Sequence, residues 1–219
     1  MHTHTIEART HGRYLVDRPD GAGPFPVLVG FHGYSEGADR MLEELRRVRS
    51  ERPWLLVSIQ ALSRFYSRAS TVVASWMTRE DRELAIEDNI LFVRSVIAAV
   101  RRDHPVTDRL VYAGFSQGAA MAYRAAAFVA ADGIPRPTGA ILLAGDIPPD
   151  VVPQLRELPP LFIGRGREDH LYSEPMAAKD LERFKAAGVE PTVHLFDGGH
   201  AWGDSFVDEA GRFLDRVAR

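Results

Sequence analysis

"LVYAGFSQGAAMAYRAA" (110–126) holds one serine, Ser116, between Gly114 and Gly118, with an alanine-rich run behind it. Leu110 to Phe115 reads as a short buried strand, and the alanines read as a helix that can lie close against a sheet. Between them, Gly-x-Ser-x-Gly is the pattern of a sharp strand-to-helix turn that lifts a serine hydroxyl above the sheet. The flanking glycines suit such a turn because larger side chains would collide with neighbouring backbone.

Outward from this stretch, short apolar runs alternate with helix-like segments. The runs at 26–33, 54–60, 109–116, 138–146, 160–166 and 191–199 read as strands, most of them apolar through their centres, as when both faces of a sheet are covered. Within 78–104, Ile86, Ile90, Val93, Ile97 and Val100 share one helical face; Thr78 and Asp81 have capping-box spacing, and His104-Pro105 marks the end. Phe206, Ala210, Phe213 and Val217 form a similar stripe, and weaker helical patterns cover 39–51, 117–131 and 174–187. Alternating strands and helices imply right-handed crossovers, hence an α/β fold with a mainly parallel central sheet and helices on both faces. Residues 10–18 are expected to add an antiparallel edge strand. Residues 60–78 form the one long connection without clear periodicity. No linker or repeat divides the chain, so 1–219 is expected to form a single domain.

Composition narrows the function. A content of 45% hydrophobic and 26% charged residues is that of an ordinary soluble globular protein. A formal net charge of −3 leaves no electrostatic footprint for nucleic acid. Basic pairs such as Arg46-Arg47 and Arg101-Arg102 read as solvated helix faces. With no cysteine there is no disulfide, zinc–thiolate site or cysteine nucleophile. The opening "MHTHTIEART" lacks the n- and h-regions of a signal peptide, and no apolar run is long enough for a membrane span. A cytoplasmic location is therefore expected.

A serine is a poor nucleophile until a base takes its proton and an acid fixes that base. His200, in "FDGGHAWGD" after the last strand, has two glycines that free its loop to turn the imidazole toward Ser116. His2 and His4 lie in the first residues, His104 at a helix end and His194 within a strand. Asp169, in "GRGREDH" after the strand at 160–166, is the preferred acid. Asp146, after the preceding strand, competes with it. Ser116, Asp169 and His200 follow the order Ser…Asp…His, each at the C-terminal end of a strand, where open α/β sheets place their sites. Backbone N–H groups of Gln117 and of Tyr34 in "FHGYSEG" are the candidate oxyanion donors. His32 in the same stretch is read as bracing the loop. No His/Asp/Glu cluster has convincing ligand spacing, so no metal or other cofactor is expected.

"FHGYSEG", "GFSQG", "GREDHLY" and "GGHAWGD", in that order, resemble the oxyanion loop, nucleophile elbow, acid loop and histidine loop of the phospholipase/carboxylesterase family of α/β-hydrolases. This family includes acyl-protein thioesterases and small bacterial esterases. The resemblance spans 31–203 and implies the α/β-hydrolase fold and a serine hydrolase with Ser116, Asp169 and His200 as its triad. Tyr34-Ser35 departs from the small apolar residue and glycine common in the family's oxyanion loop. In this resemblance Trp76 is matched to a tryptophan common before the long helix; beyond it, 60–78 does not align closely.

The expected activity is hydrolysis of small-molecule carboxylic esters or thioesters with short-to-medium acyl chains. Dienelactone-hydrolase-like, lysophospholipase and thioesterase activities are the alternatives, and an inactive hydrolase-fold binding protein is the reading from a different class. Phe65, Tyr66, Trp76, Met77, Tyr172 and Trp202 are candidates for the acyl pocket, each equally at home in a core. The family resemblance permits a homodimer.

Overall fold

The computed structural model describes residues 1–218. Seven strands form the main sheet: β1 (Arg13–Asp17), β2 (Phe25–Phe31), β3 (Leu55–Gln60), β6 (Val106–Phe115), β7 (Gly139–Leu143), β8 (Leu161–Gly166) and β9 (Thr192–Phe196). Their order is β1-β3-β2-β6-β7-β8-β9; β1 runs antiparallel to β3 and every other pairing is parallel. The expected edge strand is there, confined to five residues.

Both faces of the central strands are apolar because both are covered. On β6, Leu110 and Tyr112 face the side that also buries Val93, Ile97 and Met121, from helices α2 (Arg82–Asp103) and α3 (Gln117–Phe128). Val111, Ala113 and Phe115 face the other side, with Met41 and Leu45 of α1 (Ala38–Arg47) and Phe206 and Phe213 of α5 (Asp204–Val217). The strand's period of two thus feeds two cores, producing a continuous apolar run in sequence. Helix α4 (Glu174–Ala187) joins the first side through Phe184. Strand β9, an edge, leaves Val193 and Leu195 exposed.

Two expectations require correction. Segment 60–78 is a hairpin: β4 (Ser63–Tyr66) pairs antiparallel with β5 (Val72–Ser75). Of the two strands, only Val73, Ala74 and Ser75 turn inward to full burial, so the alternation is too short to read. The capping box does not form. Asp81 precedes α2 in a left-handed conformation (φ 48°) with no side-chain cap, and Thr78 Oγ1 donates to the Glu80 carbonyl at 2.7 Å instead. Helix α2 accordingly starts later than the spacing suggested.

Candidate active site

Ser116 stands between β6 and α3 at φ 54°, ψ −120°. A non-glycine residue held there costs roughly 1–3 kcal/mol, so the surroundings must enforce it. They do so by close packing. A Cβ at Gly114 would lie 2.1 Å from the Gly118 carbonyl oxygen, and one at Gly118 would lie 2.0 Å from the Phe31 oxygen. Neither glycine needs a positive φ; each is required by the approach of backbone to backbone. The Ser116 N–H donates to Leu143 O at 2.8 Å, tying the turn to β7.

The acid and histidine loops follow β8 and β9 and are joined by their backbones. Arg167 N–H donates to Phe196 O and Glu168 N–H to Gly198 O, both at 2.9 Å. Asp169, its side chain fully buried, accepts N–H bonds from Leu171 and Tyr172 on Oδ1, each at 2.9 Å. Its Oδ2 lies 2.8 Å from His200 Nδ1, and His200 Nε2 lies 2.8 Å from Ser116 Oγ. A carboxylate accepting Nδ1–H leaves Nε2 free to accept the serine proton. Phe115 packs against the imidazole at 5.0 Å between ring centroids. Asp146 is exposed and makes no hydrogen bond to His200.

The loop after β2 is braced from beneath. His32 is fully buried; Ala61 N–H donates to its Nε2 at 3.1 Å, so Nδ1 carries the proton and donates to Gly33 O at 2.7 Å. Burial holds this imidazole's pKa below its ordinary value, against the opposing Gly33 bond. Gly33 N–H donates to Glu36 Oε2 at 2.7 Å and Ser35 N–H to Ala74 O at 3.1 Å. Burial raises the Glu36 carboxyl despite that N–H bond and the nearby Arg40. Among the described residues, the Tyr34 and Gln117 N–H groups donate to no protein acceptor. The Gln117 side chain accepts from Trp76 N–H at 2.9 Å and donates to Ser75 Oγ at 3.0 Å, binding the hairpin to the elbow.

A cavity of about 310 Å³ opens beside Ser116 and His200. Met77 and Tyr172 line it; the other four pocket candidates do not. Trp76 is fully buried core, its Nε1–H bound to His32 O at 2.9 Å. Phe65 stacks on Tyr34, Tyr66 is exposed, and Trp202 packs against Phe115 and Phe206. Aromatic character near strand ends did not separate core from wall. The wall residues not anticipated are Ala120 and Arg124 of α3, Arg82 of α2, and the segment after β7 that includes Pro148 and Pro149. For Ala120 and Arg124 a signal was present: both lie at four-residue steps from Ser116 along one helix face. Tyr172 also anchors the wall, its hydroxyl donating to Asp180 Oδ2 at 3.0 Å, which accepts Ile147 N–H at the same distance. Burial raises the Asp180 carboxyl despite these bonds.

No protein-family model and no curated protein matches the chain. Solved structures do. Esterase PE8 superposes with a TM-score of 0.72 at 21% identity, covering 94% of this chain and 98% of that one. A Zea mays acyl-protein thioesterase 2 gives 0.71 at 20% identity, over 95% and 100%. A Bacillus cereus carboxylesterase gives 0.70 at 16% identity, over 94% of each. Agreement of this extent at such low identity is agreement of backbone path, and with the mainly parallel sheet, the two helical layers and the elbow at Ser116 it establishes that the chain has the α/β-hydrolase fold.

Proposed function

We propose that the protein hydrolyses carboxylic esters of short-to-medium acyl chains through an acyl-enzyme on Ser116. The supporting observation is the pair of 2.8 Å contacts that run from Asp169 through His200 to the serine hydroxyl. In this reading Ser116 Oγ attacks the acyl carbon while its proton passes to His200 Nε2. The carbonyl oxygen, now negative, is held by the Tyr34 and Gln117 N–H groups, the latter at the start of α3 where the helix dipole adds to the attraction. Collapse of the adduct expels the alcohol, which takes the proton from His200. Water then repeats the sequence on the acyl-enzyme: His200 accepts its proton, hydroxide adds to the carbonyl, and the acid leaves as Ser116 recovers its hydrogen. Thioesters fit the same steps with a thiol as leaving group, and one structural neighbour is an acyl-protein thioesterase.

A fluorophosphonate probe tests this, because only an activated serine reacts quickly. Rapid single-site labelling at Ser116 is expected, with labelling abolished and ester turnover lowered by about 10⁴–10⁶ in a folded Ser116→Ala variant. A Ser116→Ala variant of near-normal turnover would reject Ser116 as the nucleophile, and a protein that is neither labelled nor active on esters would favour a non-catalytic hydrolase fold.

A further inference from the structure

Arg124 is the only charged residue of α3, QGAAMAYRAAAF, and it is 1% exposed. Its Nε and Nη2 donate to Asp150 at 2.7 and 2.8 Å. Its Nη1 is buried and has no acceptor. A buried guanidinium N–H without a partner is unfavourable, because its lost hydration is not replaced. The residue lies on the wall of the same cavity as Ser116 and His200.

A second cation lines that wall. Arg82 is half-buried and opens α2, where the positive end of the helix dipole disfavours positive charge. Among the described residues it has no hydrogen bond or ion pair, although Asp150 feels its charge. The carboxylates nearby are Asp150, already forked onto Arg124, and Asp146, which is exposed on the cavity wall and bonds to neither arginine. The remaining wall is largely apolar, with Met77, Ala120, Pro148 and Met176. Such a wall would suit a plain alkyl chain. The unpartnered Nη1 and the unpaired Arg82 would not.

We propose that the ester substrate carries a carboxylate that binds between Arg82 and Arg124. This rests on the reading of Ser116 as nucleophile and specifies its substrate class: half-esters of dicarboxylic acids, or esters of hydroxycarboxylic acids. The fork to Asp150 fixes the guanidinium plane beforehand, so the free edge is preorganised for a carboxylate. Length follows from the helix. Ser116 and Arg124 are two turns apart, about 12 Å of axial rise, and an arginine leaning back toward its helix N-terminus spans roughly half of that. The carboxylate therefore lies about four to six bonds from the scissile carbonyl.

Two isosteric substrate pairs test the proposal, with acid release followed by pH-stat. Monoethyl glutarate against ethyl 5-methylhexanoate places the carboxylate on the acyl side; 4-acetoxybutanoate against 4-methylpentyl acetate places it on the alcohol side. In one pair the anionic ester is expected to exceed its neutral partner in kcat/KM by about tenfold or more, the scale of one charge-assisted contact. That ratio should fall toward one in Arg82→Gln and in Arg124→Gln. If Arg124→Gln fails to fold because Asp150 is left unpaired, Arg124→Lys keeps the charge, loses the fork and should still lower the ratio. Hydrolysis of the neutral esters with no anionic preference in either pair would overturn the proposal, as would a preference that both Arg82→Gln and Arg124→Lys leave intact. Hydrolysis of none of the four esters would overturn the Ser116 reading and this inference with it.

Discussion

Asp169 and Asp146 each follow a strand, one strand apart, yet their surroundings differ in kind. Asp169 is buried and uses both oxygens, one on two backbone N–H groups and one on His200. In Asp169→Asn the amide oxygen can keep the backbone bonds, which turns the NH₂ toward His200 Nδ1. That nitrogen must then accept, the ring proton moves to Nε2, and Nε2 can no longer take the proton of Ser116. Turnover of a short ester should fall by roughly 10⁴ with the fold retained, whereas Asp146→Asn should change it less than about tenfold. The reverse ranking in measured kcat would move the acid to Asp146. These positions were legible because the chemistry demands particular residue types at strand ends. The pocket was less legible, since Trp76 and Met77 are adjacent in sequence and only the second reaches the cavity.

The loop between β2 and α1 carries an ionisable group in an awkward place. Glu36 accepts the Gly33 N–H, and burial still raises its carboxyl pKa above the ordinary value. A carboxyl that binds its proton more tightly in the folded state stabilises the fold when protonated. That contribution is present at low pH and is lost as pH rises through the folded pKa, so at neutral pH the ionised form is a cost. Glu36→Gln keeps an acceptor for Gly33 and removes the charge. It should raise Tm at pH 8, on the order of 2–4 °C for each kcal/mol recovered, and the gain should shrink as pH falls and the wild-type carboxyl protonates. Thermal melts of both proteins at pH 8 and pH 4.5 measure this; a lower Tm for the variant at pH 8 would contradict it. The hairpin packed on this loop could not be read from sequence. Its pairing partners include Ser35 and Glu36, far along the chain from Ala74, and such long-range pairing leaves no local period.

At the scale of the molecule the layered α/β architecture was the most legible feature, because every central strand shows the continuous apolar run that two covered faces require. Cavity size sets a limit on what the fold can admit. At about 310 Å³ it lies at the small end for ligand sites, with Arg124 on its wall. Among uncharged 4-nitrophenyl esters, kcat/KM should climb with each methylene the wall buries, up to about fourfold at about 0.8 kcal/mol apiece, then drop once the space is filled. Activity rising steadily to palmitoyl esters, or jumping above the critical micelle concentration, would reject that limit. The order of the strands has one more consequence. Ser116 and His200 are 84 residues apart, and the histidine loop is held in place by β9, the last strand and an edge of the sheet. A chain emerging from the ribosome exposes its serine long before the imidazole that is proposed to activate it has been synthesised. Until β9 docks, that hydroxyl is as inert as any other. On the proposed chemistry, nascent and truncated forms would be chemically silent, and reactivity would arrive only with the completed fold.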